Sequence, residues 1–496
     1  MSDAKASLTA GCEAEQLHLS GAIQGFGALL IVDAADAITH ASANIVDFLG
    51  LPAERLVGTP LAETLPWLGP HIEAGRSRQK PGQHLLIHRI HAIGERWLDA
   101  WLVTDERQTL VELLVPQGST PLPIHRLQLP LLRAPGDQQG VAAYHAALLA
   151  GIQEATGFDR VMIYRFHEDF SGEVIAERTS KPAGSYLGLR FPASDIPAIA
   201  RRLYLINPWR AIPDARALPC PVVGTTIPDL TQALLRSVSP LHLTYLENMG
   251  VRASFSVPIR VARQLWGLIA CHNSQPLLPD PDACQTAASL AQAYAMGLGT
   301  WLAQQRMQLL DTLGPRIARI IDPLDKHLPL IDSLAGQMPA LLNLLSADGL
   351  VLVQGDDFAS LGTTPSAETL EAIENWLPTQ SEPIVMSHGF ATTHPALAAA
   401  LAPLAGVAAL RIEKTRQARG HGLRIYWFRH EEPQEISWAG NPDKPLAENT
   451  QVPQLAPRRS FERWVEIRRD VCRPWNNQDR LHCIHLRNAL LGHIGA

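Results

Sequence analysis

No two of the six cysteines stand in a CxxC arrangement, and they are scattered over the whole chain at 12, 220, 271, 284, 472 and 483. That spacing argues against a structural zinc site and against a disulfide framework, and it suits a reducing compartment. No apolar run approaches the roughly 20 residues that span a bilayer. The opening MSDAKASLTAGCEAEQ lacks the apolar core of a secretory signal. Membrane insertion is therefore not expected, and a cytoplasmic protein is. A net charge of −6 gives no basic footprint for nucleic acid. Phosphate-binding GxxxxGK[ST], GxSxG, HExxH and kinase signatures are all missing, so the chain is not expected to be an enzyme.

What remains is a globular composition, 46% hydrophobic and 18% charged. A length of 496 residues calls for about three domains of roughly 150 residues. The first block, 1–115, mixes short apolar strands (GFGALLIVD, RWLDAWLVT) with the helical SANIVDFLGLP. It reads as a small α+β sensor domain. A Pro-rich stretch, 116–130, reads as a linker. The second block, 131–305, opens with a helical pattern and carries two hairpin signatures, RVMIYRFH with EVIAERTS, and RASFSVPIRV with LWGLIACHN. Residues 285–318 predict a long helix joining two domains, with a dimer interface as its functional extension. The third block, 319–485, contains the strands GLVLVQ and GLRIYWFRH. It also holds a segment at about 435–468 too long to be a plain loop. Residues 486–496 predict an exit helix. The fold class expected is α+β: three consecutive antiparallel-sheet domains joined by long helices.

The residues able to bind something polar crowd into the second block. In RFPASDIPAIARRLYLINPWR, Asp195 sits on a rigid corner ahead of a helix carrying Tyr204, with Arg210 beyond. In LLRSVSPLHLTYLENMGVRASFSV, Arg236, Ser239, His242 and Tyr245 recur at intervals of three. His272 closes an apolar strand. Singly, each has an ordinary explanation: a helix cap for Asp195, surface ion pairs for the arginines, core histidines for the other two. Together, arginine forks, hydroxyls and histidines suit a buried ligand bearing carboxylates and N–H groups.

In order, these segments resemble the photosensory core of bacteriophytochromes, a PAS, a GAF and a PHY domain in series. The PASDIP segment, LRSVSPLHLTYLENMGVRAS and LWGLIACH resemble the family's GAF signatures. WAG (438–440) and PRRSF (457–461) resemble the WGG and PRxSF motifs of its PHY tongue. The resemblance implies biliverdin IXα in the GAF pocket, attached by a thioether to Cys12 in CEAEQLHLSGAIQ. Plant-type members instead use a GAF cysteine ahead of the pocket histidine; here that position is Leu241. By resemblance, the Asp195 carbonyl and His242 face the pyrrole nitrogens, with Ile196 beside them, and His272 faces the D ring. Arg210 and Arg236 hold one propionate. Ser239, Ser254 and Ser256 hold the other. Tyr164, Phe191, Tyr204 and Tyr245 surround rings C and D.

The function implied is a red/far-red photoreceptor switching reversibly between Pr and Pfr states by D-ring isomerisation. Asp195 would pair with Arg458 in one state and Ser460 in the other. The tongue, with Trp438, Phe461 and Trp464, would change between hairpin and helix. Partners implied are a second copy, through the long helices, and an output kinase or separate signalling protein, since no nucleotide-binding boxes follow. The alternative is a PAS/GAF sensor of haem or another small ligand without photochemistry. Two departures stand out: IQGFG (23–27) replaces IQPHG, and CHN with Asn273 replaces CHH.

Overall fold

The computed structural model describes residues 15–78, 80–116, 122–181, 184–413, 422–442 and 460–495. They divide into two compact units. One comprises residues up to Trp301 together with Ser437–Trp464; the other comprises Leu302–Ile436 and Val465–Ala496.

In the first unit, strands β1 (Ala22–Gln24), β2 (Ala28–Asp33), β3 (Ile38–Ser42), β4 (His84–Ile93), β5 (Arg96–Thr104) and β6 (Gln108–Leu114) precede a 19-residue helix, Gln138–Thr156. Asp137 caps that helix by accepting from the Gly140 amide, and Gly157 ends it in the left-handed region. Then follow β7 (Arg160–Phe166), β8 (Gly172–Thr179), β9 (Arg190–Phe191), β10 (Arg210–Ile212), β11 (Pro219–Gly224), β12 (Ala253–Val261) and β13 (Gln264–Asn273). The first sheet runs β1-β11-β3-β2-β6-β5-β4, so β11 from the second block joins the sheet of the first. Residues 18–24 are clasped by residues 220–237. Ile23 is opposite Cys220 and bridges Arg236, the Gln24 amide donates to Leu235 O at 2.7 Å, and the Leu230 amide donates to His18 O at 2.8 Å. One apolar core therefore continues from Leu29, Ile31 and Trp101 through Trp209 and Leu235 to Phe255, Leu290 and Tyr294.

The second sheet orders β10-β12-β13-β7-β8-β9, continued by β19 (Gln434–Ala439) and β20 (Arg463–Arg468). From β10 to β9 its pairs are antiparallel, and Trp438 of β19 lies parallel to Arg190. One face packs against Gln138–Thr156 and the first part of the 41-residue helix Pro281–Ile321. The other face opens onto the site below.

In the second unit, β14 (Gly349–Gln354), β15 (Asp357–Gly362), β16 (Ile384–Ser387), β17 (Leu404–Ile412) and β18 (Leu423–His430) form an antiparallel sheet ordered β15-β14-β18-β17-β16. Apolar side chains cover both of its faces. The α+β antiparallel architecture expected from sequence is what the chain adopts. Two local expectations need correcting. The Pro-rich linker contains a helical turn, Ile124–Gln128, held by the buried Leu127. The terminal helix starts at Asn477, well before residue 486, because Asp479 and Asn476 form a reciprocal cap there. No helix among the described residues is long and apolar enough to cross a membrane.

Candidate functional site

Strand alternation places Met162 and Tyr164 (β7), Ser254 and Ser256 (β12), and Leu268, Ala270 and His272 (β13) on the open face of the second sheet. The helices Ala198–Ile206 and Pro240–Asn248 roof that face. Between them lies a cavity lined mostly by apolar surface. About 240 Å³ of it remains after a water radius is set aside at every wall. Tyr164, Phe191, Asp195, Ile196, Tyr204, Arg210, Arg236, Ser239, His242, Tyr245, Ser254, Ser256 and His272 all line this one cavity. Every pocket residue expected from sequence is thus brought together. Cys12 and Arg458 lie outside the described residues. The first described residues of the N-terminal segment, Glu15 and Leu17, are on the cavity wall, and Ser239 Oγ donates to Glu15 Oε2 at 3.0 Å.

The local explanations for Asp195 and the arginines do not survive. The helix after Asp195 has Pro197 at its cap position and no side-chain cap. Asp195 Oδ2 instead accepts from the Tyr245 hydroxyl at 3.1 Å. Arg236 is buried, as are the ends of Arg210, so neither forms a surface pair. The interval of three across Arg236, Ser239, His242 and Tyr245 is not one helix face. Arg236 lies in the bridge to Ile23, and Ser239 is the residue at which the helix begins.

The electrostatics suit an anionic, polar guest. Arg210 donates to the carbonyls of Leu234 (3.1 Å) and Ser237 (2.9 Å) and to that of Arg236; Arg236 donates to Leu230 O (3.2 Å) and Thr231 O (3.3 Å). Burial and the charge of Arg236 pull Arg210 down to about 9, and burial pulls Arg236 to about 10. A nearby negative group would relieve both. Burial, with Arg160 and His242 adding to it, holds His272 down at about 3, so its ring is neutral near pH 7. Its Nδ1 is buried with no hydrogen-bond partner among the described residues, an orphan that a polar ligand atom would satisfy. Tyr204 is pushed upward by burial, while its bond to Ser256 opposes that.

Tongue residues complete the rim. Phe461 packs edge-on against Tyr245, ring centroids 5.0 Å apart, and joins Tyr164, Phe191 and Ala439 in one cluster. The Gly440 amide donates to Glu462 O at 2.7 Å. At φ +79°, a Cβ on Gly440 would sit 2.0 Å from Ser460 O, so only glycine fits. Trp438 is buried beside Arg190, whereas Ser460 is exposed and Trp464 is 39% exposed. Of the two departures, Asn273 points off the cavity, accepting from the Asp159 amide (3.2 Å) and donating to Gln275 O (2.9 Å). Phe26 packs on the shared core next to Gly27, where a side chain would strike Leu113 O and Leu235 at 2.8 Å. Sequence reasoning missed Met162, Leu268, Ala270, Trp209 and Glu15 as wall residues. Period-2 alternation would have found the first three.

Comparisons with known proteins agree with this arrangement. Residues 12–90 match the PAS fold, 146–298 the GAF domain and 317–496 the phytochrome region. A bacteriophytochrome of Xanthomonas campestris pv. campestris is 34% identical over 485 residues, covering 94% of this chain and 75% of that protein. One from Pseudomonas aeruginosa is 33% identical, covering 95% of this chain and 64% of its own length. Among solved structures, the wild-type photosensory core module of Stigmatella aurantiaca phytochrome superposes with a TM-score of 0.82 at 31% identity, covering 97% of each chain. A bacteriophytochrome from the photosynthetic bacterium R. palustris gives 0.81 at 29%, covering 98% of this chain and 99% of that one. With the fold, the cavity and these relatives in agreement, the chain belongs to the bacteriophytochrome family and forms its PAS–GAF–PHY photosensory core.

Proposed function

We propose that this chain is a red/far-red photoreceptor whose cavity holds biliverdin IXα, joined by a thioether to Cys12. The family carries the photoreceptor activity. The observation that carries the ligand assignment is the convergence of all the described pocket residues on one cavity, with the N-terminal segment entering it at Glu15. When bound, a bilin supplies red-light absorption and a photoisomerisable bond beside its D ring.

The chain's own residues then divide the work. Arg210 and Arg236 present a doubly cationic patch suited to one propionate. Ser239, Ser254 and Ser256 offer hydroxyls for the other. His272, neutral and orphaned at Nδ1, is ready to bond a polar atom of the D ring, with Tyr164, Phe191, Tyr204 and Tyr245 bounding the space around it. The Asp195 carbonyl, with Ile196 beside it, and His242 serve the pyrrole nitrogens. Leu241 on the wall leaves no thiol at the alternative attachment position.

Tyr245 supports the proposed relay, because it touches both Asp195 and Phe461. Displacing its ring disturbs the cavity and the tongue together. The described tongue strands, β19 and β20, lie side by side in the second sheet. The reading is that Asp195 pairs with Arg458 in one state and with Ser460 in the other, as the tongue, from Trp438 to Trp464, changes between hairpin and helix. The helix Pro281–Ile321 exposes Met296, Leu302 and Met307, which suits a homodimer that passes the change to an output kinase or a separate partner in the cytoplasm.

The test is to add biliverdin to the full chain and to Cys12→Ala, then denature each. Pigment that stays with the wild type and leaves the variant supports the assignment. Pigment lost from both refutes the thioether, and no red-absorbing complex at all returns the chain to the haem or small-ligand sensor class.

A further inference from the structure

Glu112 is a fully buried carboxylate in β6, on a strand whose other side chains are apolar or threonine apart from Gln108. Its neighbours across the sheet are Leu29 and Trp101, neither of which titrates near neutrality. Oε1 accepts from the Leu235 amide at 2.6 Å, the Leu234 amide also bears on the carboxylate, and Oε2 itself is buried with no partner among the described residues. Leu235 belongs to a hub. Its carbonyl accepts from Gln24, while the flanking carbonyls of Leu234, Arg236 and Ser237 all accept from Arg210. The PAS sheet thus sets a carboxyl against the peptide segment that carries Arg236 and accepts from Arg210. Every acceptor that Arg210 and Arg236 use there is a main-chain carbonyl. The groups that face Glu112 electrostatically are these two arginines. Arg236 also feels Asp229, and both arginines feel Tyr204.

We propose that Glu112 is the internal counter-ion of the Arg210–Arg236 pair, and that a ligand carboxylate settling on these arginines takes over that role, so that Glu112 binds a solvent proton as the ligand enters. The proposal rests on the bilin reading above. Its physical basis is competition for one patch of positive charge. An ionised Glu112 offsets the arginines; once a second anion is present, two carboxylates share the patch, and the buried one without full hydrogen bonding is the one that neutralises. Burial already raises Glu112 to about 7, within reach of such a change. The sign follows by linkage. A ligand that favours protonated Glu112 binds better at lower pH, and its advantage fades as Glu112 ionises.

The test compares biliverdin with biliverdin dimethyl ester, which lacks the charges, and follows the growth of the red absorption band from about one unit below to about one and a half units above neutral pH. Taking the ratio of the two rates cancels the reactivity of the Cys12 thiol. In the wild type the ratio should fall several-fold as pH rises. In Glu112→Gln, which keeps an acceptor for the Leu235 amide, it should be flat and at least as high as the wild type's low-pH value. A ratio with the same slope in both proteins, or flat in both, overturns the proposal while leaving bilin binding intact. Failure of both pigments to bind overturns the bilin reading itself. If Glu112→Gln does not fold, an indicator dye read on the wild type decides: more proton uptake with biliverdin than with its ester near neutral pH supports the proposal, and equal uptake refutes it.

Discussion

Two of the three sheets treat their second face in opposite ways. In the second unit, Val351 and Val353, Val407 and Ala409, and Tyr426 and Phe428 alternate inward with Phe390, Ile373 and Leu401 above them, and the face is filled. In the first unit, the open face carries Met162 and Tyr164, Ser254 and Ser256, and Leu268, Ala270 and His272. The period is the same; the volumes and polarity are not. Serine and alanine leave room, and histidine and tyrosine on the same face supply polar atoms. A binding site here is a core face left unfilled and given hydrogen-bonding groups, at a cost in packing that the ligand offsets.

That contrast can be broken deliberately. Ala270→Phe would fill the open face as the other sheet's aromatics do; absorption spectra should show biliverdin binding abolished, with the thermal transition of the apoprotein retained. The reverse change, Phe428→Ala, opens the filled face and should cost about 3–5 kcal/mol in chemical denaturation of the second unit, without loss of bilin binding. Gly440→Ala acts on the rim: forcing a Cβ into the left-handed region toward Ser460 O should cost about 1–2 kcal/mol, read as faster hydrogen exchange at the Gly440 and Glu462 amides. The remaining change is a pH dependence. His272 is held well below its ordinary value, so the unfolded chain binds the extra proton between about pH 6.5 and 3. Apoprotein stability should fall as pH drops through that window, and His272→Gln should shallow the decline in melting temperature.

Much of this was legible in the sequence, for identifiable reasons. Strand alternation in RVMIYRF and LWGLIACHN announced the sheet, and the ordered signatures from PASDIP to PRRSF gathered residues that are far apart along the chain. Local reasoning failed where long-range contacts decide. Asp195 looked like a helix cap because a carboxylate before a helix usually is one, yet Tyr245, 50 residues away, takes its oxygen. Arg236 and Tyr245 recur at one interval of three, yet Arg236 is fixed by a bridge to Ile23, outside the helix that carries Tyr245. The clasp of residues 18–24 by 220–237 has no local signal at all. Glu112 is hidden for the same reason: in TLVELL both faces of the strand are buried, so alternation cannot tell a core carboxylate from a solvent-facing one.

The central claim is that the unfilled face holds a bilin whose light response the chain can reverse. The most direct measurement is the absorption spectrum of the full chain assembled with biliverdin, recorded after saturating red light and again after saturating far-red light. The account predicts two interconvertible spectra, one red-absorbing and one far-red-absorbing, recovered over repeated cycles. A bound pigment whose spectrum does not change under either light would contradict it.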